Sequence, residues 1–288
     1  MANKDMTTKK LEDYNDVFAD ILNTLLFKKH YIDENLLVST KIESIYKTDK
    51  TPYKEQRRDT LKDYIKTLNN ISFVLSSYGI ENQASFDKFM PVRLMGYDFG
   101  SYNDQITANK HIHPVITIVL NFSDHRWGKA KSLHDIMDIP NELKKYVSNY
   151  EIKVFDIAYL ENDVINSFTS DFRAVARFFK NKRLGKDAFA DDKVLNHVTE
   201  VLEMLKVFAK DKYYEDVIEQ INEYKEMKGD VTMCTVAQGL VNQGRVEGRA
   251  EGKNAIEEME RTLRESGVDE NIIQAALKRA ETKFHNAA

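Results

Sequence analysis

The chain has 288 residues, with 31% charged and 42% hydrophobic side chains and a formal net charge of −4. That length supports one buried core plus appended helices, and the acidic balance argues against a protein that coats nucleic acid non-specifically. A single cysteine, Cys234, excludes an intrachain disulfide framework and a cysteine-rich zinc site. No apolar run approaches the roughly 20 residues that a membrane helix needs. The opening MANKDMTTKKLEDYNDVF lacks an apolar signal region, so the expectation is a soluble, cytoplasmic protein with no membrane partner.

Residues 8–29 read as a first helix, because Leu11, Tyr14, Phe18, Ile21, Leu22, Leu25 and Leu26 recur at three- and four-residue spacing. Asp13, Asp16 and Asp20 lie near one another on it; the plain reading is solvated acids on an amphipathic helix. Strand-like LLVSTKIESIY follows, and then a polar loop, KTDKTPYKEQRR, marked by Pro52. Lys47, Lys50, Lys54, Arg57 and Arg58 gather there. They form either a solvated loop or a lip that touches phosphates.

The centre of the chain is residues 58–83, which read as two strands joined at Asn69-Asn70. The second is rich in apolar and aromatic residues and free of proline, as suits a strand buried on both faces of a mixed sheet. Side chains alternate along a strand, so Glu81 and Gln83 share one face and Asn82 takes the other. Glu81 and Gln83 at the polar end of a buried strand need partners or a metal. With Asp59 on the neighbouring strand, the two carboxylates suit a hard cation such as Mg²⁺ or Mn²⁺.

Next comes a predicted helix opened by Pro91, with Val92, Met95, Phe99, Tyr102 and Ile106 as its apolar face. Arg93 and Tyr97 lie on another face. HPVITIVLNF (113–122) is a buried strand, and EIKVFDIAYL (151–160) one with a wet face. His111 and His113 share a side of a strand, but no third ligand is spaced to complete a metal site, so a structural role is expected. Trp127 with Arg126, Lys129 and Lys131 reads as a loop anchor, with base stacking as the alternative. Beyond residue 160 the pattern is helical throughout. One helix there carries Arg177, Lys180, Lys182, Arg183 and Lys186, either a solvated face or one that meets DNA. Further helices are predicted at 194–209 and 213–227. Gly244, Gly248 and Gly252 mark a flexible or weakly helical spacer, or a stripe of close helix approach. A helical hairpin follows, with Gly267 ending its first helix and Asp269 capping the second.

Asp59…Glu81-x-Gln83 resembles the active-site signature of the PD-(D/E)XK nuclease superfamily, with glutamine in the lysine position. More narrowly, the chain resembles the Rpn family, the recombination-promoting nucleases also called putative transposases of the YhgA-like type. Three stretches carry that likeness: NDVFADILNTLLF; RRDTLKDY with YGIENQASFDKFMPVRLMGYDFGSY; and HPVITIVLNFSDHRWGKAKSLHDIMDIPNELKKYVSNYEIKVFDIAYL. The resemblance implies an α/β fold, a restriction-endonuclease-like mixed central sheet flanked by helices, with an α-helical C-terminal region. The expected division is a core at 1–160, a helical domain at 161–238 and a tail at 239–288. The implied activity is Mg²⁺- or Mn²⁺-dependent DNA cleavage tied to recombination, mobile-element or defence processes. Asp59 and Glu81 would hold the metal with the Asn82 main-chain carbonyl, and Gln83 would orient the attacking water. Asp16 sits where the family places an acid on its first helix, and Arg93 where it places an arginine. The nucleic-acid contacts expected on this reading are Arg58, Arg93, Lys180, Lys182 and Arg183, with self-association through the C-terminal helices. The alternative is a catalytically weak nuclease-like protein that serves as a DNA-binding or helical interaction module.

Overall fold

A computed structural model describes residues 10–40, 43–46, 54–209 and 229–286, together with Ile218, Ile221 and Lys225. Five strands form one sheet in the order β1 (Leu37–Ser39), β4 (Thr60–Leu68), β5 (Ile71–Gln83), β6 (Val115–Asn121) and β7 (Lys153–Asp156). A separate two-stranded ribbon pairs β2 (Glu43–Tyr46) with β3 (Lys54–Arg57). The β1–β4 and β4–β5 pairs are antiparallel, and β5–β6 and β6–β7 are parallel. The protein is therefore α/β with a mixed, open sheet.

The β4–β5 hairpin follows from its turn. Asn69 and Asn70 both take positive φ, at 51° and 63°, a conformation that asparagine tolerates and whose twist matches the flanking strands. This fixes the register near the turn, with Leu68 opposite Ile71, and an irregularity between Tyr64 and Ile65 then shifts it by one residue, so that Thr60 stands opposite Ile80. The strand buried on both faces is shorter than predicted. Ser76 to Glu81 are buried, whereas Ile71, Phe73 and Leu75 are exposed, Ile71 at 69%. The reason is that β6 joins β5 only from Ser77 onward and β1 pairs with β4 no further than Tyr64. The far half of the hairpin thus projects past the sheet.

Helix α1 (Asn15–Ile21), continued by a wider turn over Leu22–Phe27, lies on one face of the sheet. Helix α2 (Met90–Thr107) lies on the other, where Met90, Leu94 and Tyr97 pack with Val119, Trp127 and Ile152. The predicted apolar face of α2 is the wrong one. Val92, Met95, Phe99 and Ile106 are exposed, and Met90, Leu94, Tyr97, Asp98 and Gln105 turn inward. A buried polar network sets that rotation: Asp98 Oδ1 accepts from Thr117 Oγ1 at 2.9 Å, and its Oδ2 from the Tyr150 hydroxyl at 2.6 Å. Polar groups in the interior are costly without partners, and this rotation of α2 supplies them.

The α1 side carries the main core. Phe18, Ile21 and Leu22 meet Ile80, Ile118 and Leu120 of the sheet. Phe172, Val175 and Phe179 of α4 (Phe172–Arg183) join them, with Val201, Leu202 and Leu205 of α5 (Val198–Ala209). Short α3 (Asn162–Ser167) precedes α4. Asp20 is not a solvated acid but is buried, accepting from the backbone N–H groups of Thr169 at 3.0 Å and Ser170 at 2.8 Å just before α4. Among the described residues, α4 and α5 thus share the core of the sheet domain, and Val231, Met233 and Val236 belong to it as well. Helix 213–227 lies outside the described residues, apart from helical Ile218, Ile221 and Lys225.

The glycine repeat is helical. Gly244, Gly248 and Gly252 fall inside one continuous helix, α6 (Met233–Glu265). A Cβ placed on Gly244 or Gly248 would meet open space, so no close helix approach requires these two. Gly267, at φ 75°, ends this unit, and the Asp269 carboxylate accepts from the Asn271 N–H at the start of α7 (Glu270–Asn286).

Candidate metal centre at the β4–β5 edge

One step beyond the last paired residues, Thr60 and Ile80, stand Asp59 and Glu81, each where its strand meets the sheet edge. Opposed residues of an antiparallel pair lie about 5 Å apart at Cα, which brings the two carboxylates to one place. Asp59 Oδ2 accepts the Asn82 backbone N–H at 2.8 Å. Glu81 is 3% exposed; its Oε1 accepts from Arg93 Nη2 at 2.7 Å and Gln83 Nε2 at 3.1 Å. The strand alternation read from the sequence is present: Glu81 and Gln83 share a face, and Asn82 reaches the opposite side to donate to Glu12 Oε1 at 2.8 Å.

The Asn82 main-chain carbonyl has a defined direction. The Gln83 carbonyl accepts from Phe122 N on the β6 side, and carbonyls of successive strand residues point in opposite lateral directions. The Asn82 carbonyl therefore points toward Asp59, in line with its own N–H, where β4 has already ended. Glu81 Oε2 is buried and has no hydrogen-bond partner. Such an atom costs free energy unless something outside the chain fills its coordination. Burial, and then the nearby Asp59 charge, push the Glu81 carboxyl up to about 7. The Arg93 guanidinium offsets only part of that.

Among the described residues, no three His, Cys, Asp or Glu side chains are grouped closely enough to hold a metal unaided. A Mg²⁺-sized ion does not require such a cage, because it commonly uses one or two carboxylates and keeps several waters. Two opposed carboxylates, an orphaned buried carboxylate oxygen and a main-chain carbonyl directed at the same edge fit that chemistry.

Two residues that the sequence reading passed over belong to this centre. Lys10 Nζ lies 2.9 Å from Asp59 Oδ1. Glu12 is 1% exposed, and burial lifts its carboxyl to about 6. Neither has a local signal, since both arrive through a segment that Lys62 clamps by donating to the Asp13 carbonyl and Asn15 Oδ1, each at 2.7 Å. Asp16 does not join them. Its Oδ2 sits 3.1 Å from His197 Nε2, whose ring stacks on Tyr14 beside α5. The acid that the N-terminal segment brings near Asp59 is Glu12, on the Asn82 side of the strand.

The expected nucleic-acid contacts divide. Arg58 is 2% exposed and donates inward to Thr117 and Ser101 beneath α2, so it cannot meet a phosphate. A Cβ on Gly79 would come within 2.8 Å of its Nη1, which is why glycine stands there. Arg93 is half-exposed and also donates to Asp87 at 2.9 Å. Lys180 Nζ donates to the Leu160 carbonyl and Arg183 Nε to that of Ala158; the Lys182 ammonium lies over the Phe178 ring. Lys47 and Lys50 lie outside the described residues. His113 Nε2 pairs with Ser77 Oγ at 2.8 Å, a strand-to-strand role, and Trp127 is buried as a loop anchor, donating to the Ala130 carbonyl.

The fold and this edge define an α/β protein with paired carboxylates at the end of a central hairpin. A family model described as "Putative transposase, YhgA-like" matches residues 55–213. That is more than half of the chain, which belongs to this family. Neither the search of curated proteins nor that of solved structures found a match. Among the described residues, no helix is long and apolar enough to cross a membrane.

Proposed function

We propose that this transposase-family protein is a divalent-cation-dependent DNA endonuclease that hydrolyses phosphodiester bonds at the β4–β5 edge. The observation that supports it most is Glu81: a buried carboxylate opposite Asp59, with one oxygen unpartnered. Asp59, Glu81 and the Asn82 carbonyl would hold Mg²⁺ or Mn²⁺. When bound, the cation supplies Lewis acidity at the phosphate and acidifies its water. Gln83 donates to Glu81 through Nε2, which leaves its amide oxygen to accept a hydrogen bond from the attacking water and orient it. An amide cannot accept the proton as lysine or histidine can, so the proton leaves through solvent or a phosphate oxygen. Arg93, anchored on Asp87 and Glu81, would meet the phosphate charge at the rim.

One observation favours a second reading, a DNA-binding or protein-interaction module without catalysis. Lys10 and Arg93 already supply positive charge at Asp59 and Glu81. Plasmid cleavage across a Mg²⁺ and Mn²⁺ series separates the two. Asp59→Ala and Glu81→Ala are expected to abolish cleavage, Gln83→Ala to reduce it less, and Gln83→Lys to retain it. Alanine variants that cut as fast as the parent would hand the site to the second reading.

A further inference from the structure

At the carboxyl ends of the parallel strands, two arginines grip one tyrosine. The Arg126 guanidinium carbon stands 4.4 Å from the centroid of the Tyr159 ring and that of Arg183 stands 4.1 Å from it. They come from different parts of the fold: Arg126 from the loop after β6, Tyr159 from the turn after β7, and Arg183 from the last turn of α4. Each element is anchored independently. The Trp127 N–H donates to Asp156 Oδ1 at 2.8 Å, the Tyr159 hydroxyl to the Asp124 carbonyl at 2.8 Å, and Arg183 Nε to the Ala158 carbonyl at 2.9 Å. Two like charges about one ring would not be held together for their own sake. A guanidinium stacks on an aromatic face with its donors still directed outward in the ring plane's periphery.

Those donors are largely unspent. Among the described residues, no carboxylate stands in ion-pair contact with Arg126 or Arg183, although six other arginines have such partners: Arg58, Arg93, Arg173, Arg177, Arg261 and Arg264. Arg126 is exposed, and Arg183 keeps its two terminal nitrogens beyond the Ala158 contact. Two rigid guanidinium forks with free donors fit oxyanions, phosphate above all.

The position of the pair names the phosphate's source. Gln83, Asn121 and Asp156 end adjacent strands in register, so the carboxylate centre and the arginine pair share one edge of the sheet. The two strand spacings from β5 to β7 amount to roughly 10 Å, about three base-pair steps of rise along a duplex axis. The geometry points to Arg126 and Arg183, stacked on Tyr159, as a phosphate clamp that holds the backbone of duplex DNA whose scissile bond lies at Asp59 and Glu81. The inference rests on the nuclease reading for its choice of polyanion, but its test requires no cleavage.

The experiment is fluorescence anisotropy of a labelled 20-base-pair duplex in EDTA, over a series of salt concentrations. Arg126→Glu is the leading variant, since Arg126 is exposed and its loop is held by other contacts. It is expected to weaken binding about tenfold and to lower the magnitude of the log K against log salt slope by about 1, the share of one lost phosphate contact. Arg183→Lys keeps the charge but loses the fork and should weaken binding severalfold. Tyr159→Leu keeps both charges and frees both arginines, with a similar loss expected. Lys253→Ala, on α6, should change nothing. If the parent binds and Arg126→Glu leaves affinity and slope unaltered, the clamp is overturned and the nuclease reading stands. If the parent does not bind duplex in EDTA, the clamp falls, while the nuclease reading is decided separately by plasmid cleavage with Mg²⁺ or Mn²⁺. Variants that lose binding in a parent that binds but never cuts would uphold the clamp and remove the nuclease.

Discussion

Glu81→Gln separates the cost of burying a carboxylate from the chemistry that the carboxylate serves. In the metal-free protein, burial and Asp59 raise Glu81 from 4.5 to about 7. The folded state therefore binds this proton more tightly than the unfolded chain does. Its contribution to stability is fully present below about pH 4.5, declines as pH rises, and is lost above about 7. At about 1.4 kcal/mol for each pH unit of displacement, ionising Glu81 costs on the order of 3 kcal/mol at pH 8. Glutamine has no such titration, and its amide oxygen can still accept from Arg93. Relative to the parent, Glu81→Gln should thus gain on the order of 3 kcal/mol between pH 5 and pH 8. Glu12 also titrates from a raised value, but it is present in both proteins and largely cancels from the difference. Urea unfolding in EDTA at pH 5, 6, 7 and 8 measures this directly. A difference between variant and parent that does not vary with pH would show that Glu81 is not a desolvated, titrating carboxylate.

Three further outcomes follow from the same geometry. Lys10→Met removes the cation that pairs with Asp59 in a partly exposed contact, worth about 0–1 kcal/mol; calorimetric Mn²⁺ affinity should rise by up to about fivefold, and unchanged affinity would mean that Lys10 does not compete for the carboxylate. Asp98→Ala strips Arg58 of its ion-pair partner beneath α2 and orphans Tyr150 and Thr117; a loss of about 3–5 kcal/mol in unfolding free energy is expected, and a loss below 1 kcal/mol would contradict the buried-network account of the helix's rotation. Ending the chain after Gln243 keeps the core contacts of Met233, Val236 and Leu240 and should leave a folded protein by circular dichroism with Mn²⁺ affinity intact. Aggregation or unfolding of that truncation would make the rest of α6 and α7 part of the core's stability.

What the sequence determined by itself was whatever depends on near neighbours. Two consecutive asparagines tolerate positive φ, so the hairpin was legible, but its turn register alone would set Asp59 against Ile80; the irregularity between Tyr64 and Ile65 shifts the pairing by one and brings Asp59 opposite Glu81. Strand alternation put Glu81 and Gln83 on one face without further information. Capping chemistry located Gly267 and Asp269. The tertiary structure alone decided which groups face these residues. Lys10 and Glu12 reach Asp59 and Asn82 across 49 and 70 positions of sequence, a pairing that no periodicity encodes. Asp16 and Glu12 are both acids near the start of the first helix, and the direction of that segment sent one toward His197 and the other toward Asn82. Helix α2 offered two plausible inner faces, and its apolar stripe pointed to the wrong one. Its rotation was fixed by Arg58, Asp98, Thr117 and Tyr150, drawn from four separate segments, because buried polar groups must find partners while exposed apolar ones are merely costly. The same long-range packing put Arg126 and Arg183 against one tyrosine ring.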